Sequence, residues 1–170
     1  MRLFASQVSA ISGEVTKVLT GANDIEAEHP KEVEADVASV LNQYLAMEKE
    51  VNERTKELLE RTGRGEGERA RVRAQIAESK GIKVGDEMLD YLLDQVIEIL
   101  NHSQNVDEIF AEDVVMRRKM AVIFKRHMQA DETLDAEVRL QLKHVQEGTR
   151  TWDIEYARMM EVTKRKRGLS

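Results

Sequence analysis

The chain has 170 residues, 41% of them hydrophobic and 34% charged, with one proline, nine glycines and a formal net charge of −6. That length fits one domain, or two small ones sharing a core. Aromatic residues are too few for an all-β sandwich core, and the shortage of helix breakers leaves room for long elements, so the expectation is an all-α protein. The absence of cysteine excludes disulfides, thiol catalysis and thiolate metal sites. No stretch approaches the ~20 apolar residues that span a bilayer. Gln7, Ser9, Ser12 and Glu14 soon interrupt Met1-Arg2-Leu3-Phe4, unlike the apolar core of a signal peptide. The expected location is cytoplasmic, with no membrane partner.

In chain order, the first predicted helix runs from about Ser6 to Leu19 on a stripe of Val8, Ile11, Val15, Val18 and Leu19. Gly21-Ala22-Asn23-Asp24 closes it with turn chemistry. His29-Pro30 opens a long helix from Lys31 to about Arg61, proline sitting in the first turn where its missing N–H costs nothing. Its stripe reads as Val33, Val37, Val40, Tyr44, Met47, Val51 and Leu58, heptad-like, with Arg54 as the polar interruption. Gly63, Gly65 and Gly67 end it. A third helix, short and basic on one face, is predicted from about Glu68 to Lys80. After Gly81 to Asp86, a fourth begins near Glu87 with Met88, Leu89, Leu92, Val96, Ile99 and Leu100 as its stripe. A second long helix spans about Asp113 to Gln146 and ends at Gly148, with a candidate break near Gln129-Ala130 where Asp131 would cap a fresh start. Thr151 reads as the N-cap of the last helix, with Asp153 and Glu155 in its first turn.

The series repeats. Glu68-Arg69-Ala70-Arg71 running to Lys80-Gly81-Ile82 returns as Glu155-Tyr156-Ala157-Arg158 running to Arg167-Gly168-Leu169. Upstream, Val15, Leu19 and Ile25 answer to Val96, Leu100 and Val106; in the middle, Val37, Leu41 and Val51 answer to Met120, Phe124 and Leu134. A shared 3.6-residue period explains matches between any two amphipathic helices. It explains the common block order and the closing Lys/Arg-Gly-Ile/Leu less well. The expected architecture is therefore a duplicated three-helix unit, residues 1–82 and 83–170, sharing one core. Its two long helices are expected to pack on each other, Val33–Leu58 against Met116–Val145, about an internal pseudo-two-fold axis.

Candidate chemistry is sparse. A carboxylate-bridged di-metal bundle needs inward Glu-x-x-His motifs on two helices. The only such spacing, Glu26-Ala27-Glu28-His29, runs into Pro30, and His102, His127 and His144 stand apart. The serines lie on no strand–turn–helix elbow. Gly63-Arg64-Gly65-Glu66-Gly67 follows no strand and lacks the Gly-Lys-Ser/Thr of a phosphate loop, so it reads as a connection. No catalytic residue, metal or other cofactor is expected.

Basic clusters carry more. Arg69 and Arg73 on the third helix and Lys164 and Arg165 on the last fall at equivalent places and are candidate phosphate contacts. Cations near helix ends also merely complement the dipole, and few aromatics are available for base stacking. Trp152 and Tyr156, one turn apart, are a candidate partner anchor or a plug fixing the last helix on the long one. The favoured reading is a non-enzymatic protein-interaction or structural component whose protein partner is unknown. A nucleic-acid or ribosome-associated factor binding RNA or DNA is the alternative, and a homodimer is compatible with either.

Met1-Arg2-Leu3, Asn23-Asp24-Ile25-Glu26, the run Val106 to Asp113, Lys125-Arg126-His127-Met128 and above all Gly148 to Tyr156 resemble one bacterial family, domain of unknown function five hundred and seven. The resemblance covers nearly the whole chain. It implies a helical protein built from single or doubled units with no established activity, and it transfers no site residues.

Overall fold

The computed structural model describes residues 1–167. A 3-10 turn at Ala5–Gln7 leads into α1 (Val8–Gly21); β1 (Ile25–Glu26) and α2 (Pro30–Thr62) follow, then α3 (Arg69–Ser79). The second series is α4 (Met88–His102), β2 (Glu108–Ile109), α5 (Asp113–Gln141) and α6 (Arg150–Lys166). The protein is all-α apart from two short strands. Pro30 occupies the first turn of α2, and Gly63 ends the helix in the left-handed conformation that spares a Cβ clash (φ 65°).

Three local expectations are corrected. Helix α5 passes through residue 131 without a break and stops at Gln141, short of Gln146. Beyond it the Leu142 N–H bonds to the Val138 and Arg139 carbonyls, and turns continue to Gly148. Leu142 is buried within that turn, so the apolar stripe outlasts the helix. Thr149, not Thr151, caps α6: its Oγ1 accepts the Trp152 N–H at 3.2 Å. The strands are the third difference. They pair antiparallel, Ile25 opposite Ile109 and Glu26 opposite Glu108. The Glu28 N–H donates to Asp107 Oδ2 at 2.7 Å, fastening the end of this ribbon.

Helices α1, α2, α4 and α5 form a ring in which α1 and α4 each touch both long helices. The two long helices are therefore diagonal partners rather than close neighbours, which corrects the expected direct seam. The reason lies in the short helices: Ile11, Val15 and Leu19 of α1 and Leu92, Val96 and Leu100 of α4 are all buried and fill the space between. Val33, Val37 and Leu41 of α2 and Met116, Met120 and Phe124 of α5 enter the same core. Each such side chain contributes about 1.5–3 kcal/mol by leaving water. The buried stripe of α2 also differs from the predicted one. It runs Val33, Val37, Leu41, Tyr44, Glu48, Val51, Thr55, Leu59, while Arg54 lies outside and pairs with Glu50.

Outside the ring, α3 packs on α2 and α6 on α5. The α5–α6 contact has its own small cluster, Leu134, Val138, Leu142 and Met160 with Trp152, Tyr156 and Met159 against it. Among the described residues no helix is long and apolar enough to cross a membrane.

Candidate interaction site

The C-terminal part of α2 carries α3, and that of α5 carries α6, giving the molecule two arms. A cleft of about 600 Å³ is bounded by the N-terminal segment, α2, the start of α3 and the α5–α6 turn. Lys49, Asn52, Glu53 and Lys56 share one side of α2 because helical neighbours recur at three and four residues. Leu45 and Phe4 add apolar surface, and the Arg2 guanidinium lies 4.9 Å from the centre of the Phe4 ring. The α5–α6 turn closes in at Gly148, whose φ of 87° favours glycine; a Cβ there would lie 3.6 Å from Lys56 Nζ. Among the described residues Arg2, Lys49 and Lys56 make no ion pair with a carboxylate.

The predicted phosphate contacts are divided between the arms. Arg69 Nε donates to Glu66 at 2.6 Å. Arg73 turns inward, donating to Asn52 Oδ1 at 2.7 Å and Glu48 Oε2 at 3.1 Å. Glu48 is only 7% exposed. Burial pushes its carboxyl above the usual carboxylate range, against the opposing pull of Arg73. Arg73 is thus a tie within the first arm. Lys164, half-buried, and Arg165, exposed, lie in the last turn of α6 on the second arm.

Trp152 and Tyr156 meet as the one-turn spacing requires. Their rings stack with centroids 4.8 Å apart and planes 20° from parallel, and the Arg139 guanidinium lies 5.2 Å from the Trp152 ring centre. The Tyr156 O–H donates to Asp135 at 2.5 Å. Burial, then that carboxylate, hold the hydroxyl well above its ordinary titration range. Both rings are half-buried against α5. In this position they fasten α6, and a part of each remains exposed.

The histidines stay separate. His102 Nδ1 lies 2.9 Å from the Glu98 carbonyl, and His127 Nε2 lies 2.7 Å from Glu14. Among the described residues no three histidine or carboxylate side chains converge as a metal site would require.

Sequence reasoning did not single out Arg2, Phe4, Glu48, Lys49 or Lys56. A signal existed for Glu48 alone: it stands four residues after Tyr44 and three before Val51, inside the apolar stripe. The cleft cations are ordinary surface residues until the α5–α6 turn is brought to them from far along the chain.

No curated protein matches the chain. The family described as "Protein of unknown function (DUF507)" matches residues 1–169, and the chain, matched over nearly its whole length, belongs to that family.

Proposed function

We propose that this chain is a non-enzymatic interaction component of the bacterial cytoplasm that holds a protein partner in the cleft between its arms. The observation that carries this reading is the composition of the cleft. Apolar surface from Phe4 and Leu45 stands beside Arg2, Lys49 and Lys56, which among the described residues form no ion pair, while Glu48, Glu53 and Glu147 also line the cleft. Such a mixture suits a partner surface that presents acidic side chains around an apolar contact, where charge sets orientation and association rate. The volume is in the range of sites that enclose a few side chains. RNA or DNA binding remains the second reading; it rests on Arg165 and Lys164 at the end of α6, because Arg69 and Arg73 are already engaged by carboxylates.

Affinity capture with the full chain separates the two. The expected result is a set of proteins retained equally from nuclease-treated and untreated lysates and lost when Lys49→Glu and Lys56→Glu are combined. Retention that disappears on nuclease treatment and survives the double change favours the nucleic-acid reading instead.

We also infer that residues 1–82 and 83–170 are copies of one unit. A pair of exchanged contacts supports it. Asp24, after α1, binds Lys119 of α5 at 2.6 Å. Asn105, after α4, binds Asp36 of α2 at 3.0 Å. The sequence correspondence places Asp24 with Asn105 and Asp36 with Lys119, so one polar link recurs with acid and partner interchanged.

A further inference from the structure

The ribbon end of the molecule presents a second surface of different character. Phe110, immediately after β2, is 57% exposed, whereas every other aromatic ring in the chain is buried or half-buried. Val114, one helical turn further, is 55% exposed, and Val122, two turns beyond it on the same face of α5, is 64% exposed, with the exposed Arg118 between them marking the far limit of the patch. Beside Phe110 lies a groove of about 500 Å³ whose walls include Thr20, Asn23 and Ala27. The corresponding face of α2 carries Lys31, Ala35 and Ser39, so this strip belongs to the second half alone.

Its rim is acidic. Glu26 and Glu108 face each other across the ribbon, an arrangement that destabilises a strand pair when both are charged. Glu28, Glu112 and Asp113 are exposed nearby, and among the described residues none of these five carboxylates pairs with a cation. Glu112 and Asp113 start α5 and Glu28 precedes α2, where the helix dipole favours acids. Glu26 and Glu108 gain nothing from it, and neither their repulsion nor the exposed ring stabilises the ribbon. Both features are offset when a cationic, apolar surface covers them.

We propose that this face docks a basic amphipathic segment of another protein, its apolar side on Phe110 and Val114 and its Lys or Arg side chains over Glu26 and Glu108. The occupant is set by charge complementarity; a second copy of the chain would bring its own acidic ribbon to the same place. The surface is distinct from the cleft, which lies roughly 30–40 Å away along α2 at 1.5 Å per residue. The protein would then bridge two partners of opposite charge.

The test uses the full chain with two labelled probes, a short leucine/lysine amphipathic peptide and its leucine/glutamate counterpart. The lysine peptide should bind, weaken as salt rises, and lose about tenfold or more in affinity on Phe110→Ser, comparable to loss of a small hot spot. Combining Glu26→Gln with Glu108→Gln should flatten the salt dependence and raise the melting temperature, because the facing charges are gone. The cleft changes Lys49→Glu and Lys56→Glu should leave this binding in place, which keeps the two surfaces separable. Equal binding of the glutamate peptide, indifference to Phe110→Ser, or Phe110-dependent self-association at the same concentrations would each overturn the proposal.

Discussion

The two arms solve one problem by different chemistry. Each must hold a polar helix against the end of a long one. In the first arm α3 buries only Val72 and Ala77, and it is held by charge: Arg73 to Glu48 and Asn52, and Lys80 to Glu50 at 2.6 Å. In the second, α6 is held by the stacked Trp152 and Tyr156 over the cluster Leu134, Val138 and Leu142, with Arg139 on the aromatic face. Under the duplication proposed above, the ties meet at corresponding points, since Asn52 follows Val51 as Asp135 follows Leu134. Directional, desolvated charge fixes one geometry but is costly when broken. Aromatic packing makes a cluster separate from the main core, and such a cluster can open alone.

The sharpest way to break the first tie is Arg73→Ala. It leaves the Glu48 carboxylate buried without its partner, a change that costs about 3 kcal/mol and should lower the urea midpoint at unchanged slope. Replacing Glu48 and Arg73 together by leucine should recover most of that loss, as buried ion pairs replaced by apolar packing often do. Trp152→Ala should come next, at about 2 kcal/mol for a half-buried aromatic ring. Its effect should be local. Hydrogen exchange should show α6 amides losing protection while those of α1, α2, α4 and α5 keep theirs.

Tyr156→Phe removes one hydrogen bond to a charged acceptor, worth about 1.5 kcal/mol. Because Trp152 is the sole tryptophan, its fluorescence reports α6 directly. In this variant the fluorescence transition should precede loss of helical circular dichroism, and more widely than in the parent chain.

The smallest effect concerns pH. Glu48 binds its proton more tightly in the folded state than at the ordinary value of 4.5. Between 4.5 and that raised value, the folded chain keeps a proton that the unfolded chain has lost. Stability from this group is therefore fully present below 4.5 and declines as pH rises through the folded pKa. Glu48→Gln should remove that slope, measured as denaturation midpoints on either side of the window. The Tyr156 hydroxyl of the second arm titrates far above this range.

Most of the fold was legible, because helix boundaries follow local chemistry: proline in the first turn of α2, a left-handed glycine at its end, and apolar steps of three and four. What could not be read was the traffic between halves. The stripe of α2 was traced through Val40, Met47 and Leu58 because Glu48 and Thr55 are polar, yet Glu48 and Thr55 are buried and the other three only partly so. A charged residue in a buried stripe is intelligible only once its partner is known, and Arg73 lies 25 positions away. The diagonal placement of the long helices depends on α1 and α4 entering between them, which periodicity does not encode. Trp152 and Tyr156 were recognisable as a pair, but their attachment to Asp135 and Arg139 required the turn that ends α5 early. The cleft is the least legible feature, since its walls come from opposite ends of the chain.

The ring also dictates an order of events during synthesis. The face of α1 bearing Ile11, Val15 and Leu19 touches α5 as well as α2, and α5 begins only at Asp113. At ribosomal speeds of about 5–20 residues per second, that face waits on the order of 5–20 s for its last neighbour to be made. The ribbon cannot form before β2 emerges, so α1 and α2 leave the ribosome as an open pair with one long apolar side uncovered. Nascent chains stalled before and after α5 should therefore differ sharply in their demand for chaperones.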